Sequence, residues 1–255
     1  DLCARRLSQP LWKYLGGTRN KVSTYASGIS PATARKTAEV ALAAGHDSLK
    51  LKIGFDKDTD LKNIKDLRDL LGSDGKLMLD ANQSWTMDQA KHMIQKINPF
   101  NVSWVEEPIA ADRPDEEWYG LIEISNMPLA AGENIFSKGR FKHLISTGYL
   151  GIVQPDLAKW GGLTETVPLA KAIIAAKKSY CPHFLGGGVG LMASAHVLAA
   201  VGGDGILELD CNPNPLRTFI AADFLKSSMS CMDLGDEPGI GVVPELDAIT
   251  EYRVQ

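Results

Sequence analysis

From Val22 onward the apolar residues fall into short runs of strand character, separated by amphipathic stretches with helical spacing. The runs are VSTYAS (22–27), SLKLKIG (48–54), KLMLDAN (76–82), VSWVEEP (102–108), PLAAGEN (128–134), LGIVQPD (150–156), SYCPHFL (179–185) and ILELD (206–210). Between them lie patterns such as ATARKTAEVALAAG (32–45), TDLKNIKDLRDLLG (59–72) and MDQAKHMIQKI (87–97), each bounded by turn or capping residues. Strict alternation of strand and helix predicts an α/β fold of parallel strands joined by right-handed crossovers. Eight such strands in about 190 residues fit a closed barrel better than an open sheet. Ahead of them, Leu2, Leu7, Leu11 and Leu15 trace a helix ended by Gly16 and Gly17. The Pro- and Gly-rich tail beyond Asp210 shows no further unit and is expected to pack outside the barrel. The chain opens at Asp1, inside a helical pattern and without a methionine, and so reads as the remainder of something longer.

Composition narrows the classes rather than choosing one. With 44% hydrophobic and 23% charged residues the 255-residue chain has ample material for a large core, which excludes disordered, collagenous and coiled-coil readings. The 27 Lys+Arg and 31 Asp+Glu are interspersed, leaving a net charge of −4 and no basic footprint for nucleic acid or an anionic membrane. Four cysteines at wide intervals form no C-x-x-C, so a zinc ribbon is excluded and reduced core thiols are expected. No apolar run approaches the roughly 18 residues of a membrane span, and the start lacks the apolar core of a signal peptide. A cytoplasmic location is expected.

The chemistry lies in where the ionisable residues fall. Lys50 and Lys52, Asp80, Glu106, Glu133, Asp156, His183 and Glu208 sit toward the ends of seven consecutive strand candidates, in steps of 28, 26, 27, 23, 27 and 25 residues from Lys52 onward. A charge in so apolar a setting is costly unless paired or bound to metal, so the series predicts one shared polar site at the carboxyl-end face of the barrel. Asp80, Glu106 and Glu133 on adjacent strands would converge, and three like charges stay ionised together only around a cation. All-oxygen ligation favours Mg²⁺ over zinc. Periodicity alone leaves open whether Glu106 or Glu107 faces inward. Lys50 and Lys52 share a face, where mutual repulsion and a nearby metal would lower a pKa and free an amine to act as base. Across the barrel, Asp156 and His183 end neighbouring strands, and a carboxylate on one imidazole nitrogen would orient the ring for proton exchange at the other. His46, His92, His143 and His196 read as structural. Glu208, or Asp210 of the same parity, would be a buried carboxylic acid able to donate to developing negative charge.

Taken in order and spacing, KLK (50–52), DANQS (80–84), WVEEP (104–108), GEN (132–134), PDLAKWGG (155–162), PHF (182–184) and LELD (207–210) resemble the enolase superfamily, mandelate racemase subgroup. The resemblance implies a TIM-like (β/α)7β barrel, with Asp80, Glu106 and Glu133 as Mg²⁺ ligands. It implies Lys52 as one general base, His183 with Asp156 as the opposite acid/base, Lys50 and Glu208 as stabilisers of an enediolate, and Ser27 and Asn82 beside the substrate. Relatives resembling muconate-lactonizing enzyme carry a lysine where this chain has Asp156, and Lys159 lies nearer the Gly161–Gly162 turn. The resemblance further implies that the family's N-terminal α+β capping domain is largely absent from this chain, with residues 1–17 expected as its last helix, 18–212 as the catalytic barrel and 213–255 as a segment packing outside it.

The activity so implied is Mg²⁺-dependent removal of the proton beside a carboxylate of a small-molecule substrate, leading to dehydration of a sugar acid to a 2-keto-3-deoxy acid. Racemisation or epimerisation of a 2-hydroxy or amino acid derivative is the alternative on the same site, and a non-catalytic barrel scaffold a remote one. Relatives are often homo-oligomers. A phosphate- or nucleotide-binding barrel is suggested by Gly186 to Gly188 and Gly190, and GVGLMA (188–193) approximates a dinucleotide fingerprint. That run follows the seventh strand, however, and has no basic residue close by. The glycines read instead as room for substrate beside His183.

Overall fold

Each of the eight apolar runs forms a strand in the computed structural model, which describes residues 1–225, 229–244 and 246–253. They are β1 (Lys21–Ile29), β2 (Ser48–Lys52), β3 (Lys76–Asp80), β4 (Trp104–Glu106), β5 (Leu129–Ala131), β6 (Leu150–Val153), β7 (Ser179–Tyr180) and β8 (Leu207–Asp210). Pairing is parallel throughout this set, in the order β7-β6-β5-β4-β3-β2-β1-β8. The end strands β7 and β8 meet without a backbone ladder. Their seam is nevertheless tight: a Cβ on Gly205 would lie 1.8 Å from the Tyr180 carbonyl oxygen, so only glycine fits there.

Helices α3 (Ala34–Ala43), α4 (Lys57–Leu71), α5 (Met87–Ile97), α6 (Asp115–Ile122), α7 (Lys138–Ser146), α8 (Gly162–Ala175) and α9 (Gly188–Val201) fill the crossovers. Their starts are set locally: the Asp56 carboxylate accepts from Thr59 N–H, and Thr86 and Gln89 form a reciprocal capping box. Two layers of apolar packing result. One lies between sheet and helices. The other plugs the barrel interior with Tyr25, Met78, Trp104, Ala130, Ile152, Cys181 and Ile206, and the Tyr25 and Trp104 rings meet edge to face at 5.6 Å.

Four sequence expectations change. The N-terminal helix is two short ones, α1 (Leu2–Arg6) and α2 (Leu11–Tyr14), parted by Ser8 at φ 50° and by Pro10. Leu2 and Leu7 face solvent while Leu11 is buried, so the four leucines share no face. The tail contributes α10 (Pro215–Ala221) and a ninth strand, β9 (Cys231–Asp233), antiparallel to the start of β1. A three-residue strand with one buried residue, Met232, leaves too short a pattern to read. Of the four cysteines, all free, only Cys181 is in the core. Finally, the glycines after β7 serve packing: a Cβ on Gly190 would collide with the Phe184 ring and one on Gly188 with Ile220.

Candidate active site

Parallel register sets the site. Lys52 pairs with Asp80 and Asp80 with Glu106 across β2, β3 and β4, so their side chains rise on the same inward face one strand apart. Lys50, two residues below Lys52, is fully buried over the Tyr25 ring at 5.4 Å. Its Nζ donates to Glu106 Oε2 at 2.7 Å and lies 2.7 Å from Glu208 Oε1 and 3.9 Å from Asp80 Oδ2. Lys52 Nζ donates to Asp80 Oδ2 at 2.5 Å. Across the barrel, His183 Nδ1 stands 2.8 Å from Asp156 Oδ2 and its Nε2 stands 2.8 Å from Glu133 Oε2. Asp80, Glu106, Glu133, Asp156, His183 and Glu208 are all buried. Lys52, with its side chain 24% exposed, is a route from solvent.

The pairings determine the protonation states, and two of these differ from the sequence reading. Burial alone would lower both lysines, but Glu106 and Glu208 around Lys50, and Asp80 on Lys52, hold each above the ordinary lysine value. Neither is a free amine in this arrangement, because each ammonium touches a carboxylate rather than its neighbour. Burial would likewise raise Glu208, but Lys50, His183 and the Ser27 hydroxyl pull it down to about 2. It is an ionised acceptor, not the protonated donor expected. Burial would lower His183, yet hydrogen bonds from its ring to Asp156 and Glu133 lift it to about 10. Glu133, which burial would raise, is held well below the usual range by His183 and Lys159. Glu106 is pushed up to about 7, first by burial and then by Asp80.

The alternatives left open by spacing are also decided. Glu106 points into the barrel, whereas Glu107, at φ 41°, turns away and accepts from Asn134 Nδ2 at 2.7 Å. Asp210 is drawn to the rim by Arg217, 3.0 Å away. Asn82 is exposed at the mouth, its Nδ2 donating to Glu133 Oε1 at 3.2 Å. Ser27, expected beside the substrate, is fully buried and donates to Glu208 Oε1 at 2.6 Å, since it is sealed between β1 and β8. Two further side chains enter the site, Gln154, which no motif marks, and Lys159, which the sequence places nearer the Gly161–Gly162 turn. Gln154 donates Nε2–H to Glu106 Oε2 at 2.8 Å, and Lys159 Nζ donates to Glu133 Oε2 at 2.7 Å. Gln154 was readable from parity with Asp156, whereas Lys159 is turned over the mouth by backbone N–H groups of Ala158 and Lys159 closing on Asp156 Oδ1. A separate cavity of about 370 Å³, lined by Gly54, Trp85 and His92 among others, contains none of these groups.

Three carboxylates on consecutive strands supply the hard oxygen donors a divalent cation such as Mg²⁺ takes. Glu106 Oε1 is buried without a hydrogen-bond partner, an acceptor left unused by the protein. The donor set therefore fits. As arranged, no three His, Cys, Asp or Glu side chains among the described residues converge on one ion position, because Lys50, Lys52, Lys159 and His183 occupy the facing oxygens.

Eight parallel strands ending in lysines, carboxylates and a carboxylate-bound histidine define a (β/α) barrel protein with one polar site at its carboxyl-end mouth. More narrowly, the chain belongs to the enolase superfamily, mandelate racemase subgroup, its residues 32–248 matching the family described as enolase C-terminal domain-like. D-galactarolactone cycloisomerase of Agrobacterium fabrum is 30% identical over 221 residues, 83% of this chain and 58% of the relative. Arabinonate dehydratase of Saccharolobus solfataricus is 26% identical over 99% of this chain and 69% of its own. Among solved structures, a mandelate racemase/muconate lactonizing enzyme from Bordetella bronchiseptica RB50 superposes with a TM-score of 0.96 at 44% identity, covering 99% of this chain and 70% of that one. A racemase from Streptomyces coelicolor A3(2), solved with bound magnesium, does so at 0.88 and 28% identity, over 99% and 69%. The chain thus spans little more than half to about seven tenths of these relatives' length. Among the described residues no helix is long and apolar enough to cross a membrane.

Proposed function

We propose that this barrel is the catalytic part of an enzyme that removes the proton beside a substrate carboxylate, with Mg²⁺ as cofactor, and dehydrates a sugar acid to a 2-keto-3-deoxy acid. The observation that carries the proposal is the flanking of Asp80, Glu106 and Glu133 by lysines from β2 on one side and by the Asp156–His183 pair on the other. The dehydratase and cycloisomerase named above support the sugar acid class.

Mg²⁺, held by Asp80, Glu106 and Glu133, would supply Lewis-acid neutralisation of the substrate carboxylate. Lys50, a buried cation fixed between Glu106 and Glu208, remains protonated and donates to the charge that develops as the C–H bond breaks. Lys52 is the base: it is the more exposed of the two lysines, and it must first leave Asp80 and give a proton to solvent, so that the neutral amine takes the proton from the carbon. His183, fixed at Nδ1 by Asp156, gives its Nε2 proton to the departing 3-hydroxyl, which leaves as water. The resulting enol tautomerises to the 2-keto product. Glu208, ionised, keeps Lys50 and His183 charged and oriented.

Bases on both sides of one carbon also suit racemisation or epimerisation, by reprotonation from His183. A panel of sugar acids with Mg²⁺ separates the two: release of a 2-keto acid supports dehydration, and a change of configuration at C2 without it supports the alternative. Neither product from any member would contradict both.

A further inference from the structure

Glu106 has two carboxylate oxygens in contrasting situations. Oε2 receives two donors, Lys50 Nζ at 2.7 Å and Gln154 Nε2 at 2.8 Å, while Oε1 is buried and receives none. Gln154 is itself completely buried just beyond the end of β6. Its position is fixed by backbone: its N–H donates to the Ala131 carbonyl at 2.9 Å, and Gly132 packs so closely that a Cβ there would lie 2.6 Å from the Gln154 nitrogen. Its amide cannot be reversed without setting its carbonyl oxygen against a carboxylate oxygen, so the donating orientation follows from Glu106. Nothing in the acid/base chemistry above requires such a residue.

We propose that Gln154 is a positioning residue for the metal: with Lys50 it saturates Glu106 Oε2 and pins the carboxylate so that Oε1 is the oxygen offered to Mg²⁺. This rests on the reading of Asp80, Glu106 and Glu133 as ligands. A glutamate side chain has free rotation about its last bond, and one donor leaves it able to present either oxygen. Two donors on one oxygen remove that freedom before the ion arrives. Outer-shell partners of this kind are worth about 10- to 100-fold in metal affinity.

The test is calorimetric titration of Mg²⁺ into metal-free wild-type protein and into Gln154→Leu and Gln154→Met, with thermal midpoints measured before metal is added. Expected is saturable Mg²⁺ binding by wild type and a loss of about tenfold or more in both variants, with metal-free midpoints close to wild type. Turnover lost by the variants should return as Mg²⁺ is raised, whereas a merely structural role would depress it at every Mg²⁺ concentration. Wild type that binds while both variants bind equally tightly overturns the role of Gln154 and leaves the ligand assignment standing. Wild type that fails to bind overturns the ligand assignment and this inference with it. Should both variants fail to fold, a crystal structure of the wild type with Mg²⁺ decides. Oε1 of Glu106 on the ion with Gln154 on Oε2 supports the inference, and Oε2 on the ion contradicts it.

Discussion

Two layers of the barrel interior stand one inward step apart on the same strands and could hardly differ more. The lower contains Met78, Trp104, Ile152, Cys181 and Ile206; the upper, two residues further along each strand, contains Asp80, Glu106, Gln154, His183 and Glu208. Both are buried. The lower layer is held by contact among apolar and aromatic surfaces, and the upper by cations set between carboxylates. Burial therefore does not determine polarity here. A charge is retained where a partner of opposite sign rises from a strand one or two places away, and the cost of that arrangement is a floor of groups that tolerate little change.

The largest effect is expected on turnover. Lys52→Ala and His183→Ala should each lower turnover on the responsive sugar acid by about 10²- to 10⁴-fold, measured at saturating Mg²⁺, while leaving the fold intact by circular dichroism. Next comes stability of the upper layer. Lys50→Met strands Glu106 and Glu208 without their shared cation and should cost about 3–5 kcal/mol in denaturant unfolding. Trp104→Ala in the lower layer should cost about the same, 3–5 kcal/mol, but by leaving a cavity. A second substitution tells the two apart: adding Glu208→Gln should recover part of the Lys50→Met loss and none of the Trp104→Ala loss. Equal recovery in both would erase the distinction between the layers.

His196 offers a third kind of burial, a polar group with no ion beside it. Its Nδ1 accepts from Trp12 N–H at 3.0 Å, tying α9 to the N-terminal segment. Burial depresses it to about 4, against the usual 6.5. Because the folded value lies below the unfolded one, the stability it contributes is present above pH 6.5 and is lost as pH falls from there toward 4. The loss amounts to at most about 3 kcal/mol. Denaturant midpoints from pH 7 to pH 4 should show it, and His196→Gln should flatten the slope over that window. The smallest effect concerns a helix start: Thr86→Ala removes the capping box of α5 and should cost about 1 kcal/mol.

The strands and the ring of strand-end charges were legible because a barrel repeats, so one ionisable residue every 23 to 28 positions is a signal no single motif carries. What parity reveals is the face a residue occupies, not how far its side chain reaches. Parity sets Lys50 and Lys52 on one face, yet their protonation depends on whether each ammonium meets its neighbour or a carboxylate one or two strands away, a matter of ångströms. Gln154 shares its parity with Ile152 and Asp156, but an uncharged residue breaks no rule of burial until its partner is seen. Lys159 reaches Glu133 only through a turn closed on Asp156, and β9 is too short to show a period.

The most direct test of the account is proton exchange. The full natural chain, incubated in D₂O with Mg²⁺ and a panel of sugar acids, should replace the proton beside the carboxylate of at least one of them with deuterium, and exchange should cease when Mg²⁺ is chelated. Exchange that persists without the metal, or that survives both Lys52→Ala and His183→Ala, would contradict it.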